Sequence, residues 1–437
     1  MQRLGSTVLG CVLSLCAMPA WANGIHQVTT QSPESVIYLS RNASTDIDAV
    51  YFNPAGTAFM KEGMHLYLAD QALYMPVSLT ATDVVKTNTK RDYEGKQFAP
   101  SIPSLFAAYN RELGSGHLAL SGAFLMFGGG GAGKFDEGIQ MFDVMAYHPM
   151  MQGTPSSKFS ATRFFLGPQF NAAYTFLDER LAVALGYRFI YGYGTDHLEL
   201  YSNGALLTPG GEYDSTRTGQ AHGFVLSLAA RPLSELTLAL RGEYHTQLNM
   251  TADATGDERV KGVDPSFADG GVIKMQFPAN INLGAAYQWG STALTFSASY
   301  YLNRLARWGR LNDAERTKIA SQYDNGYEVS LSVAERLASA PFTVGGGYHY
   351  NVAGATTETR SQLADFPNYH SVGLGGTYHY SDDLTITLGG NAAYFVPVDV
   401  NKYPRETAIS QNVAASIGTA KFSKVGYSIA LGVGYTF

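Results

Sequence analysis

Alternation of large apolar residues with small or polar ones runs through most of this chain, and it constrains the fold more than any other feature. The last segment, KVGYSIALGVGYTF, places seven large residues on one face: Val425, Tyr427, Ile429, Leu431, Val433, Tyr435 and Phe437. Glycine, serine, alanine and threonine occupy the other face. A period of two is that of a β-strand whose two faces meet different surroundings. The sequence therefore predicts β-strands that are apolar on one side only.

Charged residues indicate which face of these strands points inward. In ERLAVALGYRFIYGYG, Arg188 lies opposite the leucine face, and in ELTLALRGEYH the same is true of Arg241 and Glu243. Charges in a dry core cost much free energy, whereas a wet lumen accommodates them. A soluble secreted β-protein, which would put the large apolar face inside, is therefore disfavoured. The pattern favours a transmembrane β-barrel with a polar interior and an apolar outer face.

The number of strands agrees with this class of protein. We predict fourteen antiparallel strands, an even number as expected for a bacterial barrel, joined alternately by short turns and long loops. The predicted strands are 64–80, 101–111, 117–127, 161–178, 181–200, 217–231, 235–250, 276–290, 292–304, 326–338, 341–352, 367–381, 383–396 and 422–437. The predicted fold is thus all-β, with a barrel domain at 64–437.

The first residues predict export. The stretch MQRLGSTVLGCVLSLCAMPAWA has an early Arg3, a short apolar run and a small-x-small site, so we interpret 1–22 as a signal peptide. The apolar run is too short for a membrane anchor. Both cysteines of the chain, Cys11 and Cys16, lie in this peptide, which excludes disulfides and cysteine-bound metals from the mature protein. The formal net charge of −6 gives no support to nucleic-acid binding.

Residues 23–63 precede the first predicted strand and are not needed for the barrel. The Pro-Ala-Gly break in DAVYFNPAGTAFMKEG is incompatible with a regular strand. A disordered periplasmic tail is the alternative, but the aliphatic and aromatic residues of this segment argue against it. Because a fourteen-stranded barrel encloses a wide lumen, we expect the segment to fold back inside as a plug.

The chain resembles the long-chain fatty-acid transporter (FadL) family, which includes importers of aromatic hydrocarbons. The resemblance rests on Asn53, Pro54 and Ala55 ahead of a fourteen-stranded pattern, on FPANINLGAAYQW (277–289) and on FPNYHSVGLGGTYHYSDDLTITLGG (366–390). It implies a hatch domain that plugs the barrel, with these three residues as its motif. It also implies passive uptake of fatty acids or small aromatics, no cofactor, and a lateral exit at a kinked early strand.

The sequence offers candidates for a ligand-binding loop and for the lateral opening. The loop 128–160 carries a cluster of adaptable apolar side chains that we expect to bind ligand, with local packing as the alternative: Met141, Phe142, Met145, Met150 and Met151. Gly122 lies inside the third strand, where glycine often marks a bend. We place the lateral opening there, with the alternative that Gly122 only makes room for the hatch.

Catalytic and metal-binding patterns are not apparent in the sequence. No histidine pair has metal-ligand spacing, and no Ser-His-Asp order stands out. We interpret His222, His245, His349 and His379 as ordinary polar groups, mostly of the lumen. The sequence predicts no enzyme, no metal and no cofactor.

The predicted function is an outer-membrane channel for hydrophobic small molecules, such as fatty acids or aromatic hydrocarbons. Its expected partners are outer-membrane lipid and the barrel-insertion machinery, which would read the terminal Phe437, and the expected state is a monomer. A general diffusion porin is the main alternative, and an outer-membrane lipase or protease is a weaker one. Adhesion or phage reception through the outer loops is compatible with each of these.

Overall fold

The structure is a computed structural model that describes residues 31–83, 89–140, 142–143, 155–207, 211–256, 268–307, 322–357, 359–360, 367–401 and 419–437. The predicted signal peptide, 1–22, lies outside the described residues.

Fourteen antiparallel strands form one closed sheet, as predicted. They are β1 (Gly63–Asp83), β2 (Thr89–Leu113), β3 (Gly116–Phe135), β4 (Pro155–Phe176), β5 (Leu181–Ser202), β6 (Glu212–Leu233), β7 (Leu236–His245 with Leu248–Gly256), β8 (Val272–Met275 with Asn280–Trp289), β9 (Thr292–Tyr301), β10 (Gly326–Arg336), β11 (Phe342–Val352), β12 (Tyr369–His379), β13 (Leu384–Phe395 with Val398–Asn401) and β14 (Thr419–Thr436). A two-residue strand, Ala205–Leu206, pairs with the end of β5.

The first and last strands close the barrel. β1 pairs with β14 in antiparallel register, with Leu66 opposite Tyr435. The backbone N–H of Phe437 donates to the carbonyl of Met64 at 2.8 Å. Every strand therefore has two neighbours, and the described sheet leaves no open edge at the join.

Several strands extend further than the sequence predicts. The region 81–100, predicted as a loop, is mostly the continuation of β1 and β2, and β3 and β4 likewise extend into 128–160. Cross-strand polar contacts, such as Thr80 Oγ1 donating to Asp92 Oδ1 at 2.6 Å, stabilise these extensions. Because these parts of the strands carry polar residues on both faces, the alternation of apolar and polar residues does not predict them.

The outward faces of the strands carry most of the exposed large apolar side chains. Typical members are Leu68, Leu105, Phe170, Leu185, Leu226, Leu283, Leu331, Leu374 and Leu431. Arg188, Arg241 and Glu243 are buried on the opposite face, as the alternation predicts. His222 is an exception to the lumen assignment, because it lies on the outer face, where its Nδ1 is 2.7 Å from the Tyr187 hydroxyl.

The chain before β1 forms short helices: α1 (Pro33–Tyr38), α2 (Ala49–Phe52) and a 3-10 helix (Pro54–Phe59). A second 3-10 turn, Asn303–Leu305, lies after β9. In the described part of the chain, no helix has both the length and the apolar character needed to cross a membrane. α1 contacts β10 to β14, while the first 3-10 helix contacts β2 to β6. Residues 31–62, here called the inner segment, therefore lie in the lumen between opposite walls.

Candidate permeation pathway

The inner segment is organised around a buried ion pair. The guanidinium of Arg41 donates to both carboxylate oxygens of Asp48, at 2.8 Å from Nε and 2.7 Å from Nη2. Ser32 and Ser44 donate to the same carboxylate at 2.9 and 2.6 Å. Ser32 also caps α1 by accepting from the N–H of Ser35 at 3.1 Å. One carboxylate thus joins both helices of the segment.

Two buried carboxyls of the inner segment differ in their protonation behaviour. Burial alone would raise the pKa of Asp48, but Arg41 and the two serine hydroxyls outweigh burial and hold that pKa below its ordinary value. Burial and the charge of Asp48 raise the pKa of Glu34, although Tyr67 donates to it at 2.7 Å. The inner segment therefore contains one firmly ionised carboxylate and one that resists ionisation.

The predicted hatch motif, Asn53, Pro54 and Ala55, lies at the start of the 3-10 helix and contacts the barrel wall. The Asn53 side chain is fully buried; it donates to the carbonyl of Ser44 at 3.0 Å and accepts from Ser227 of β6 at 3.1 Å. The N–H of Ala55 donates to the same Ser227 hydroxyl at 3.3 Å. Pro54 occupies the first helical turn, where its missing N–H costs nothing.

Inward-facing glycines make room for α1. A Cβ atom at Gly347 of β11 would collide with the carbonyl of Tyr38, and one at Gly373 of β12 would collide with the carbonyl of Val36. A Cβ atom at Gly389 of β13 would collide with the side chain of Ile37. These three strands thus present a smooth wall on which the helix lies with its backbone in direct contact.

Tyr51 of α2 lies in a buried cluster of charged side chains. The guanidinium carbons of Arg188 and Arg241 lie 4.9 and 5.3 Å from its ring centre, within cation–π distance. Arg241 also donates to the backbone carbonyl of Tyr51. Glu243 lies 3.1 Å from Arg188 and 3.2 Å from Arg241. The cluster attaches the inner segment to β5 and β7.

Towards the long loops, the interior becomes apolar. A single cluster of buried side chains continues from the inner segment to that end of the barrel; its members include Val77, Leu79, Tyr93, Phe135, Ile139, Phe165, Leu198, Leu200, Leu248, Met250, Ile273, Phe277, Val400 and Phe422. The strand pattern predicts a polar interior, but on the loop side of the inner segment the interior also contains this large apolar cluster. An apolar compound finds a matching environment on the loop side of the inner segment.

Of the five loop residues predicted to bind ligand, only Phe142 is described. It is buried in the apolar cluster, and its ring centre lies 4.9 Å from that of Phe159. Met141, Met145, Met150 and Met151 lie outside the described residues. Phe142 thus lines the apolar interior rather than an exposed surface.

Pairing between β2 and β3 is interrupted at mid-height. The ladder stops at Phe98 opposite Ala132 and resumes at Leu105 opposite Phe124. Pro100 and Pro103 lie in the interrupted part of β2, and neither has an N–H to donate. These two prolines are the sequence signal of the gap.

Gly122, the predicted opening, lies close to the interruption but not in it. It pairs with Ala107 of β2 and with Phe170 of β4 in regular register. Pairing of β3 with β2 is lost from Leu125, three residues later. Pairing with β4 is interrupted by two bulges, between Met126 and Gly128 and between Gly129 and Gly131. Gly129 has a φ of +98°, which only glycine adopts readily.

Gln31 of the inner segment bridges the interruption. Its side-chain amide donates to the carbonyl of Met126 on β3 at 2.9 Å, and its own carbonyl accepts from Ser104 of β2 at 2.9 Å. Asp70 of β1 accepts from the N–H of Ile102 at 2.8 Å. A backbone carbonyl of β3 at the gap is thus satisfied by a side chain, as a lipid-facing wall requires. No sequence pattern marks Gln31 for this role.

On the lumen side, the interruption is lined by a cluster of buried apolar side chains, here called the apolar inner lip. Its members come from five strands: Leu73, Met75, Ala99, Ile102, Met126, Tyr369 and Phe395. A molecule leaving the lumen at this height would therefore contact apolar side chains on its way to the wall.

One cluster in the described residues has donor atoms close enough to hold a metal ion, although the sequence predicts none. Ligand atoms of His197, Glu212 and Asp214 lie within 4.8 Å of one another. His197 Nδ1 and Asp214 Oδ1 are already hydrogen-bonded at 2.6 Å. All three residues are at least partly exposed, and nothing else distinguishes the cluster from ordinary surface groups.

No family model matches this chain, and no curated protein sequence shows significant similarity to it. Solved structures do match. A Pseudomonas aeruginosa FadL homologue aligns with a TM-score of 0.65 at 13% identity, covering 94% of this chain and 99% of its own. The Pseudomonas putida toluene transporter TodX aligns with a TM-score of 0.60 at 12% identity, covering 94% of this chain and 100% of its own. The Ralstonia pickettii toluene transporter TbuX aligns with a TM-score of 0.56 at 14% identity, covering 93% of this chain and 98% of its own. At these identities the similarity confirms the expected fold.

Proposed function

We propose that this protein is an outer-membrane channel through which hydrophobic small molecules pass by diffusion and leave sideways into the membrane. The observation that carries the proposal is the β2–β3 interruption, with its apolar inner lip and with Gln31 bridging it. The solved structures with this fold include a FadL homologue and two toluene transporters. Monoaromatic hydrocarbons and long-chain fatty acids are therefore the proposed cargo.

The proposed path begins in the apolar interior near the long loops. Cargo moves down past the inner segment, displaces Gln31 and leaves between β2 and β3. Residues 23–63 serve as the hatch, with Asn53, Pro54 and Ala55 as the contact that seats it on β6. The path requires no cofactor and no chemical step, so we assign no catalytic residue. The chain acts as a monomer, and the insertion machinery reads Phe437.

A cross-link across the gap tests the lateral exit. Ser104 and Met126 both contact Gln31, so a short bis-maleimide can join cysteines at these positions. We expect the Ser104→Cys/Met126→Cys protein to lose most toluene and oleate uptake when cross-linked. The control pair Ser121→Cys/Asn171→Cys lies on the regular β3–β4 ladder, where the side chains meet at 3.1 Å. Equal uptake by both cross-linked proteins would place the exit elsewhere.

A general diffusion porin is the alternative function, and conductance separates it from the proposal. The inner segment is buried and contacts opposite walls of the lumen, which favours a closed channel over an open pore. We expect low single-channel conductance from the intact protein in planar bilayers. A large, stable open current would favour the porin. Turnover of phospholipid or peptide, lost on a single serine or histidine substitution, would favour a hydrolase.

A further inference from the structure

A second cavity, distinct in chemistry from the apolar interior, lies between the inner segment and the wall formed by β8 to β14. Its volume is about 130 Å³. The residues that matter here are Gln31, Leu73, Tyr301, Glu328, His349 and Tyr369. Gln31 and Leu73 belong to the region of the β2–β3 interruption, so the cavity adjoins the proposed exit.

Glu328 is the one carboxylate of this cavity among the described lining residues. The hydroxyl of Tyr301 donates to its Oε1 at 2.9 Å, and the amide of Asn351 donates to Oε2 at 3.4 Å. No described lysine or arginine forms an ion pair with it; His349 is its nearest cationic candidate. A carboxylate inside a channel for apolar compounds carries a desolvation cost. Its position at a cavity suggests that a ligand completes its hydrogen bonds.

His349 faces the same point of the cavity. Its side chain is about nine-tenths buried, and Nε2 has no hydrogen-bond partner in the described structure. Nε2 lies 3.7 Å from Glu328 Oε2, which is too long for a direct hydrogen bond. A hydroxyl placed beside both groups can donate to the carboxylate and accept from the imidazole N–H. The two side chains thus form a receptor for one hydroxyl group.

The wall beside this hydroxyl receptor is aromatic. The ring of Tyr369 lies 5.3 Å from that of His349 and 4.9 Å from that of Phe395, with interplanar angles of 34° and 32°. Tyr369 and Phe395 also belong to the apolar lip of the interruption. A ring that packs on Tyr369 would bring a substituent towards Glu328.

From this juxtaposition we propose that the cavity binds a small aromatic alcohol of the phenol class, with its hydroxyl between Glu328 and His349 and its ring on Tyr369. A cavity of about 150 Å³ holds one benzene ring, so a cavity of about 130 Å³ limits the ligand to a single ring. The inference rests on the proposed function for the route of entry. It predicts that the channel prefers hydroxylated aromatics to plain aromatic hydrocarbons of the same size.

Binding of 4-fluorophenol and 4-fluorotoluene to the purified full chain in detergent, followed by ¹⁹F NMR, tests this inference. We expect the phenol to bind more tightly than the toluene. Glu328→Gln should weaken phenol binding by about tenfold or more, since a hydrogen bond to a charged group is lost. Binding of the fluorotoluene should not change. Glu335→Gln on the same strand is the control, because Glu335 contacts only Ser291 and Thr292 at the short-turn end.

Heat-modifiable gel mobility checks that each variant is folded, and His349→Phe provides an independent loss of the hydroxyl receptor. Equal phenol affinity in the wild type and in both cavity variants would show that Glu328 and His349 do not bind the hydroxyl and would overturn the inference. Uptake of toluene, oleate and phenol by the intact channel is measured separately. Absence of uptake of toluene, oleate and phenol alike would reject the proposed function, whereas uptake without a phenol preference would reject this inference alone.

Discussion

Arg188 and Glu243 form an ion pair of 3.1 Å that is almost completely buried, and the guanidinium of Arg188 also lies over the ring of Tyr51. Gln169 accepts from the same guanidinium at 3.0 and 2.8 Å. The pair joins β5 to β7 and both strands to the inner segment. A buried pair of this kind stabilises a specific arrangement chiefly because breaking it leaves a charge unpaired.

Replacing Arg188 with Met should therefore destabilise the protein by about 3–5 kcal/mol, the usual cost of removing one partner of a buried pair. Conductance should rise as well, because Tyr51 loses one of the two guanidinium groups that hold it. Urea unfolding and planar-bilayer recordings measure the two effects. Arg188→Lys, which retains the charge, should cost less. An unchanged conductance in Arg188→Met would mean that Arg188 is not needed to hold the inner segment.

Gly347→Val should displace α1 without harming the barrel, since the added side chain would collide with the carbonyl of Tyr38. We expect normal heat-modifiable mobility together with an increase in conductance. Gly242→Val is a matched control, because a Cβ there meets nothing within 4 Å. Loss of folded barrel in Gly347→Val alone would indicate that the glycine is needed for the strand itself and not for the helix.

Acid should loosen the inner segment through Asp48. Because its folded pKa lies below the ordinary value, the stabilisation from the Arg41 pair is fully present above about pH 4 and is lost as the pH falls through the folded pKa. Glu34 has a raised pKa and acts in the opposite direction, so Glu34→Gln is the background for the measurement. Conductance should rise below pH 4 in that background.

Adding Asp48→Asn to this background should give the raised conductance already at neutral pH and remove its dependence on pH. The comparison separates Asp48 from the other acidic groups of the barrel. A rise of the same size on acidification in the Asp48→Asn protein would assign the effect to another carboxyl.

Restoring backbone donors should narrow the exit. In Pro100→Val/Pro103→Val, two N–H groups become available to β3, and extended β-branched residues favour strand pairing. We expect slower hydrophobic uptake with unchanged conductance. Pro76→Val is the control, since Pro76 pairs with Lys96 of β2 and lies outside the β2–β3 interruption. Uptake reduced equally by the control would mean that any loss of proline in the wall slows transport.

The barrel was predictable from local pattern, because one face of each strand meets lipid and the other meets the lumen. In KVGYSIALGVGYTF this requirement specifies every second residue. The inner segment follows no such period. Its Arg41–Asp48 pair, and the contact of Gly347 with Tyr38, depend on how distant parts of the chain meet.

The β2–β3 interruption was predictable only in part. Pro103 lies inside the predicted second strand and Pro100 just before it, so the broken ladder is visible in the sequence. Gly122, the predicted site of the opening, lies in regular register, three residues before pairing with β2 is lost. Gln31 is an ordinary polar residue whose role follows only from its two hydrogen bonds across the gap.

The inner segment is joined to β1 by very few residues, since the 3-10 helix ends at Phe59 and β1 begins at Gly63. An inner segment displaced from the wall would therefore stay tethered beside it. A short tether keeps a displaced segment at an effective concentration of about the millimolar range beside its own binding site. Its return would be an intramolecular event that does not depend on how much protein the membrane contains. Reclosure would then need neither a partner nor an energy source.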